Sequence, residues 1–410
     1  MKKTTAKKSS HAVLLTGLLV LLFCVSIGSI LLGRFDISIS QCLGILASHL
    51  FSISPSWNQV QANMVNLVRL PRVLVAALVG MSLSIAGTSY QCIFRNPMAA
   101  PDILGASTGA AFGAALAILL NRNSTDITVW AFIASIVCVG LVILCSRLCR
   151  GNPVLNLVLS GIIIGSLFSA LTSYLKLIAD PNNKLPAITY WMMGSLNGVN
   201  VAKLSYVWIP MLIAVVPIFC LRWKMNLLTL DDDEARTMGV NTRVIRTVII
   251  ICATLLTASS VSVSGMIGWV GLVIPHMARR MVGSDCRILV PTSALVGGIF
   301  LILVDDLSRS VSTTEIPLGV SAADGLPLRV HGDAGSAAAQ PRGSPGNAMN
   351  DLRHHQAFRH SGKQNIIKRV NFQHSTSASS SHASSSLTAG CGMAWNSGIF
   401  PHTSRKVGSA

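Results

Sequence analysis

Blocks almost free of charged residues follow one another along the first three quarters of the chain. They lie at 12–33, 73–94, 103–120, 128–146, 154–179, 204–221, 244–266, 267–278 and 288–304. Most approach the roughly 20 apolar residues that a helix needs to cross a bilayer. The pattern predicts an all-α, polytopic membrane protein with nine recognisable transmembrane helices. The block at 267–278 is short and is expected to tilt or to be shielded by its neighbours. Between the first two blocks, Ile37–Ile53 mixes Ser, Gln and His with apolar residues, which suits a helix lying at the membrane surface.

The first block follows Lys2, Lys3, Lys7 and Lys8. It exceeds the usual apolar core of a signal peptide, has no clear small-residue cleavage site and is followed by many similar blocks. It reads as a first membrane helix, with residues 1–11 in the cytoplasm. Small residues recur at four-residue spacing in Gly105, Gly109 and Gly113, and again in Gly161 and Gly165. In a membrane that spacing lets helices approach closely.

Composition agrees. Charged residues make up 11% of the 410 residues, against about 25% in an ordinary soluble domain. The formal net charge is +17, but the basic residues fall mostly between blocks and in the tail, with no basic groove interleaved with aromatics. A nucleic-acid partner is therefore not expected. The ten cysteines form no C-x-x-C pair and no zinc-type cluster, so neither a metal nor a cofactor is expected. No Walker A sequence occurs, and any ATP hydrolysis would belong to a separate subunit.

Starting inside and alternating, the loops at Arg95, Arg147–Arg150, Arg222–Arg246 and Arg279–Arg287 all face the cytoplasm, as the positive-inside rule requires. Arg69 and Arg72 in R-L-P-R, and Arg309 after the last clear block, then face outward. They are either interfacial residues that snorkel or a docking surface for carboxylates of a partner. The long inner loop holds Asp231, Asp232, Asp233 and Glu234, then Ala235, Met238 and Gly239. Acidic residues at its start and Ala and Met at helical spacing predict a capped short helix with one apolar face. A soluble subunit is a natural surface for it to pack on.

These residues resemble the ten-helix permeases of iron-siderophore, haem and cobalamin ABC importers, from about residue 12 to 320. The resemblance rests on R-L-P-R at 69–72, opening the second helix, and on Arg95–Asp102 followed by Leu104–Gly109. It rests also on Trp191–Leu196, on Gly265–His276 with Arg279, and on Glu315–Val320. It implies a bacterial inner-membrane permease that acts as a homodimer or with a related permease. Its partners would be an ATP-binding ABC subunit and a periplasmic or lipoprotein substrate-binding protein. Arg69, Arg72 and Arg309 match positions that meet carboxylates of the binding protein. Leu230–Val240, with Asp232, Asp233, Glu234, Ala235, Met238 and Gly239, matches the coupling helix seated on the ATPase. Asp231 stands where the family usually has Gly. His276, beside Pro275, is expected to be structural rather than a ligand.

After Val320 the resemblance stops. Residues 321–410 are rich in Ser, Gly, Ala, His and Arg, and such a composition is expected to stay disordered. Read one base on, codons for Ala323–Ala334 can spell an apolar helix bearing the expected Gly-x-Pro-Phe. A frameshift near residue 320 would explain the loss of the tenth helix. The alternative function, an ion-coupled secondary transporter, calls for ionisable groups buried in mid-span. The blocks have almost none, and Lys176 lies near an end. A membrane enzyme would need a cluster of His, Asp or Glu, which the sequence does not show.

Overall fold

The computed structural model describes residues 2–33, 35, 37–49, 51, 55–228, 232–239, 241–310 and 317–319. The chain divides into two units, Met1–Arg329 and Val330–Ala410, and every described residue belongs to the first. The expected tail and Asp231 lie outside the described residues. So do Glu315, Ile316 and Val320 of the last family-like stretch.

The described residues form helices and no strand. In chain order these are α1 (Lys2–Leu31), α2 (Ile39–Ala47), α3 (Gln59–Asn63), α4 (Leu70–Ile93), α5 (Ala106–Leu119), α6 (Ser124–Leu148) and α7 (Pro153–Ile178). Then follow α8 (Lys184–Met193), α9 (Val201–Leu227), α10 (Asp232–Thr237), α11 (Thr242–Ser264), α12 (Val270–Val282) and α13 (Cys286–Ser310). Seven stretches are long and apolar enough to cross a membrane: His11–Leu31, Gln59–Ile93, Ser124–Leu148, Pro153–Ile178, Val201–Leu227, Thr242–Ser264 and Cys286–Ser310.

The other two expected spans are short. α5 has 14 residues and α12 has 13. At 1.5 Å per residue each reaches only about 20 Å, against roughly 30 Å of hydrocarbon. Both are packed among longer helices, α5 on α6, α7 and α11, and α12 on α4 and α13.

R-L-P-R does not open the second helix. Gln59–Ile93 is one continuous helical stretch, and Arg69 lies ten residues into it. Polar Gln59, Gln61 and Asn63 hide its first turns in the sequence. The helix passes Pro71 through a π-helical segment, Met64–Arg69, where Leu70 N–H bonds to Val65 C=O. Proline has no N–H to give, and a wider turn just before it re-registers the ladder.

α4 sits at the centre, with 78% of its apolar window buried, whereas α1 at the periphery buries 11%. Backbones touch where glycines face each other: Gly80 meets Gly297 of α13, and Gly87 meets Gly271 of α12. The glycine spacing read from the sequence also acts as expected. Gly109 and Gly113 face Ser135 and Trp130 of α6 at backbone distance, and Gly161 faces Ile103. α11 carries a run of buried hydroxyls. Thr257, Ser259, Ser260 and Ser264 each donate to the carbonyl four residues back, at 2.7–2.9 Å. Polar side chains thus stay satisfied inside a helix that has little water around it.

Candidate functional site

The three arginines singled out in the sequence meet at one end of the bundle, where α1 and α13 finish. Arg69 is buried and aims at the C-terminal carbonyls of α1: Nη1 donates to Ile30 O (3.0 Å) and Leu31 O (3.4 Å). Its Nη2 donates to Phe35 O (2.6 Å). A cation there satisfies carbonyls that have no helical partner and opposes the negative end of the helix dipole. Arg72 forms a two-pronged pair with Asp305 of α13, Nε to Oδ2 at 3.0 Å and Nη2 to Oδ1 at 2.9 Å. Arg309 Nε lies 3.2 Å from the same Oδ2 that Arg72 Nε reaches. Arg309 Nη2 also pairs with Asp306 and with Ser29 Oγ of α1.

Three guanidiniums and two carboxylates leave this knot with one net positive charge. A cavity of about 460 Å³ opens beside it, lined by Arg69, Arg72, Arg309, Asp306, Phe35 and Met64. The sequence reading missed Asp305, Asp306 and Ser29. Their signal was present, because two adjacent aspartates close to the end of an apolar helix need cations nearby.

At the opposite end, α10 covers Asp232–Thr237, and Met238 and Gly239 form the turn after it. Ala235 is fully buried, whereas Met238 is 59% exposed. The two apolar residues therefore do not share one outward face, contrary to the sequence expectation. Ala235 anchors the segment and Met238 is its exposed apolar tip. Glu234 and Thr237 are exposed, and Gly239 adopts φ +74°. Asp232 and Asp233 lie in the first turn of α10, where negative charge suits the helix dipole. Arg95, itself at φ +51°, donates Nε to Leu228 O (3.0 Å) and ties the Arg95–Pro101 loop to the chain entering α10.

No three His, Cys, Asp or Glu side chains among the described residues could hold a metal ion. His276 is exposed on α12, and the nine described cysteines are free thiols.

Comparison with known proteins gives this architecture its family. The FecCD transport family model matches residues 18–323. The chain belongs to the FecCD transport family. Among its relatives is the molybdate import system permease protein MolB of Haemophilus influenzae. It is 38% identical over 320 residues, which cover 78% of this chain and 94% of that protein. A probable iron chelatin transport system permease protein of Helicobacter pylori is 39% identical over 254 residues, covering 62% and 77%. A solved structure, described as an inward-facing conformation of a metal-chelate type ABC transporter, superposes with a TM-score of 0.69. It has 37% identity and covers 77% of this chain and 96% of that one. The FecCD match overlaps all seven candidate spans and ends at residue 323. The chain is thus a multi-pass membrane protein of a transport-permease family.

Proposed function

We propose that this chain is the membrane-spanning subunit of a binding-protein-dependent ABC importer for iron-siderophore, haem or cobalamin-type chelates. ATP hydrolysis takes place on a partner subunit. One observation carries the reading: the family match takes in both ends of the bundle, the arginine–aspartate knot and α10, and overlaps every candidate span. The permease domain is residues 12–320, set in the bacterial inner membrane with residues 1–11 inside and nine helices in the bilayer. It pairs with a second copy or a related permease. The iron chelatin relative supports the chelate class. The likeness to MolB supports a second reading, in which the solute is an oxyanion.

Arg69, Arg72 and Arg309 dock a substrate-binding protein, whose carboxylates enter the cavity beside the knot. At the other end α10 with Glu234, Met238 and Gly239 is the coupling helix, and Met238 is the apolar tip that enters the ATPase. Closure of two ATPases on ATP pulls α10 and switches access to the pore.

The experiment is uptake into vesicles holding this chain, its neighbouring ATPase and the binding protein. Uptake of ferric chelate that requires ATP supports the reading. Uptake that survives loss of the ATPase and collapses with an uncoupler establishes the ion-coupled alternative. Docking is tested with Arg309→Gln, which keeps the Arg72–Asp305 pair. Undiminished affinity for the binding protein in this variant would rule Arg309 out.

A further inference from the structure

A second cavity, of about 570 Å³, lies where α5 ends and α6, α8 and α9 begin. Three of its lining side chains are cations, Arg122, Lys184 and Lys203. No Asp or Glu lines it among the described residues. Asp180, in the turn before α8, accepts instead from Asn182 N–H (3.2 Å) and Asn183 Nδ2 (3.0 Å). Asp126 lies in the first turn of α6 but does not line the cavity.

The cations are not equivalent. Arg122 is exposed, and Lys184 donates Nζ to Leu119 O (2.8 Å), closing the C-terminus of α5. Lys203 is only 8% exposed, and its ammonium has no hydrogen-bond or ion-pair partner among the described residues. A mostly buried lysine whose ammonium faces a cavity without a carboxylate is stabilised when an anion joins it. Two of the helices that begin here, α6 with 25 residues and α8 with 10, start without a side-chain cap bond. The first N–H groups of α6 and the positive ends of both dipoles add to the same field, whereas in α8 Leu185 N–H is taken by Asp180 O and Pro186 has no N–H. Asn197 and Ser195 add polar groups, and Trp191 an aromatic face.

We infer that this cavity binds a compact anionic group, held by Lys203 and by the open start of α6. Such a group is found on a free tetrahedral oxyanion and on a carboxylate-rich metal chelate. The inference rests on the permease reading, since it gives the cavity a solute on its way through the chain.

The test is equilibrium binding to the full-length purified chain, with radiolabelled molybdate as the free oxyanion and ferric citrate as the carboxylate chelate. Lys203→Met is expected to weaken binding of the accepted anion by about tenfold, as loss of one charge-assisted bond would. Lys203→Arg should stay within about threefold, because the charge is kept. Arg122→Gln, at an exposed position, should weaken binding and flatten its dependence on salt. Which probe binds separates oxyanion from chelate. Equal affinity in wild type, Lys203→Met and Arg122→Gln overturns the site, as does failure of both probes to bind. A third outcome also overturns it: Lys203-dependent retention of phosphatidylglycerol in nanodiscs, with probe binding seen only in phosphatidylcholine, would assign the cavity to a lipid headgroup. Binding to the isolated chain needs no ATPase. Failure to bind would therefore sink the anion site alone, and ATP-driven uptake in vesicles would still decide the permease reading.

Discussion

Arg72 and Asp305 lie 233 residues apart in sequence and meet in a two-pronged ion pair of 2.9 and 3.0 Å. Asp305 is 1% exposed and has a second cation, Arg309, 3.2 Å away. The pair fastens the start of α4 to the end of α13.

This shared carboxylate makes the two partners unequal. Asp305→Ala removes the carboxylate that buried Arg72 shares with Arg309, which keeps Asp306 and Ser29, and is expected to cost about 3–5 kcal/mol. Arg72→Ala leaves Arg309 on Asp305 and should cost less. Arg72→Met with Asp305→Leu should recover most of the loss, since an apolar pair needs no counter-charge. Melting of the detergent-solubilised variants gives the order. A cost for Arg72→Ala equal to or above that for Asp305→Ala would contradict it.

The glycine contacts predict a sharp positional contrast. A methyl group at Gly87 would meet the Gly271 backbone, and one at Gly80 the Gly297 backbone. Backbone cannot swing aside as a side chain can, so Gly87→Ala should destabilise by about 1–3 kcal/mol. Gly140, within α6, has nothing within 4 Å of an added methyl. Gly140→Ala should be neutral or stabilising by up to about 1 kcal/mol. Thermal unfolding of the two variants side by side checks the sign.

Asp285 gives a pH dependence. It precedes α13, accepts from Arg287 N–H (3.0 Å), and takes Asn226 Nδ2 from the end of α9 (2.7 Å). Partial burial pushes its carboxyl up. The Asn226 and Arg287 hydrogen bonds and the charges of Arg287 and His11 outweigh this and hold it below the ordinary value of 3.8. A depressed folded value means that the ionised carboxylate stabilises the fold. That contribution is complete above the unfolded value and is lost as pH falls through the folded one. Asp285→Ala should therefore cost about 0.5–2 kcal/mol near neutrality, as a lost N-cap does. The difference from wild type should close only below about pH 4. A gap that closes between pH 5 and 7 would point to another group.

Met238 allows the proposed coupling contact to be tested apart from folding. It is exposed, and exposed positions usually change stability by less than about 0.5 kcal/mol. Met238→Asp is expected to leave the melting temperature in place and to abolish ATP-driven uptake in vesicles. Full uptake in this variant would remove Met238 from the coupling contact.

The sequence shows most of the helices because a bilayer imposes one simple rule, about 20 apolar residues per crossing. It hides the ends. Gln59, Gln61 and Asn63 look like loop, yet they extend α4 backwards through a π-turn that only the neighbouring Pro71 hints at. α5 is apolar enough to resemble a span, and its shortness follows from the left-handed Gly105 before it and the Leu120–Asn121 turn after it. The candidate residues were legible by type but not by partner. R-L-P-R marks the arginines, whereas pairing with Asp305 and Asp306 depends on helix order in space. Lys203 gave no local signal, since its burial comes from α5, α6, α8 and α11 closing round it.

The glycine-to-glycine seam of α4 with α12 and α13 has a mechanical consequence. Sliding α4 by a single residue, about 1.5 Å, would set side chains against carbonyls where only hydrogen fits now. The three helices can rock together but cannot shear. They form a strut that reaches from the Asn226–Asp285 contact at one end to the arginine–aspartate knot at the other. Relative movement within the bundle is therefore left to the helices around the strut.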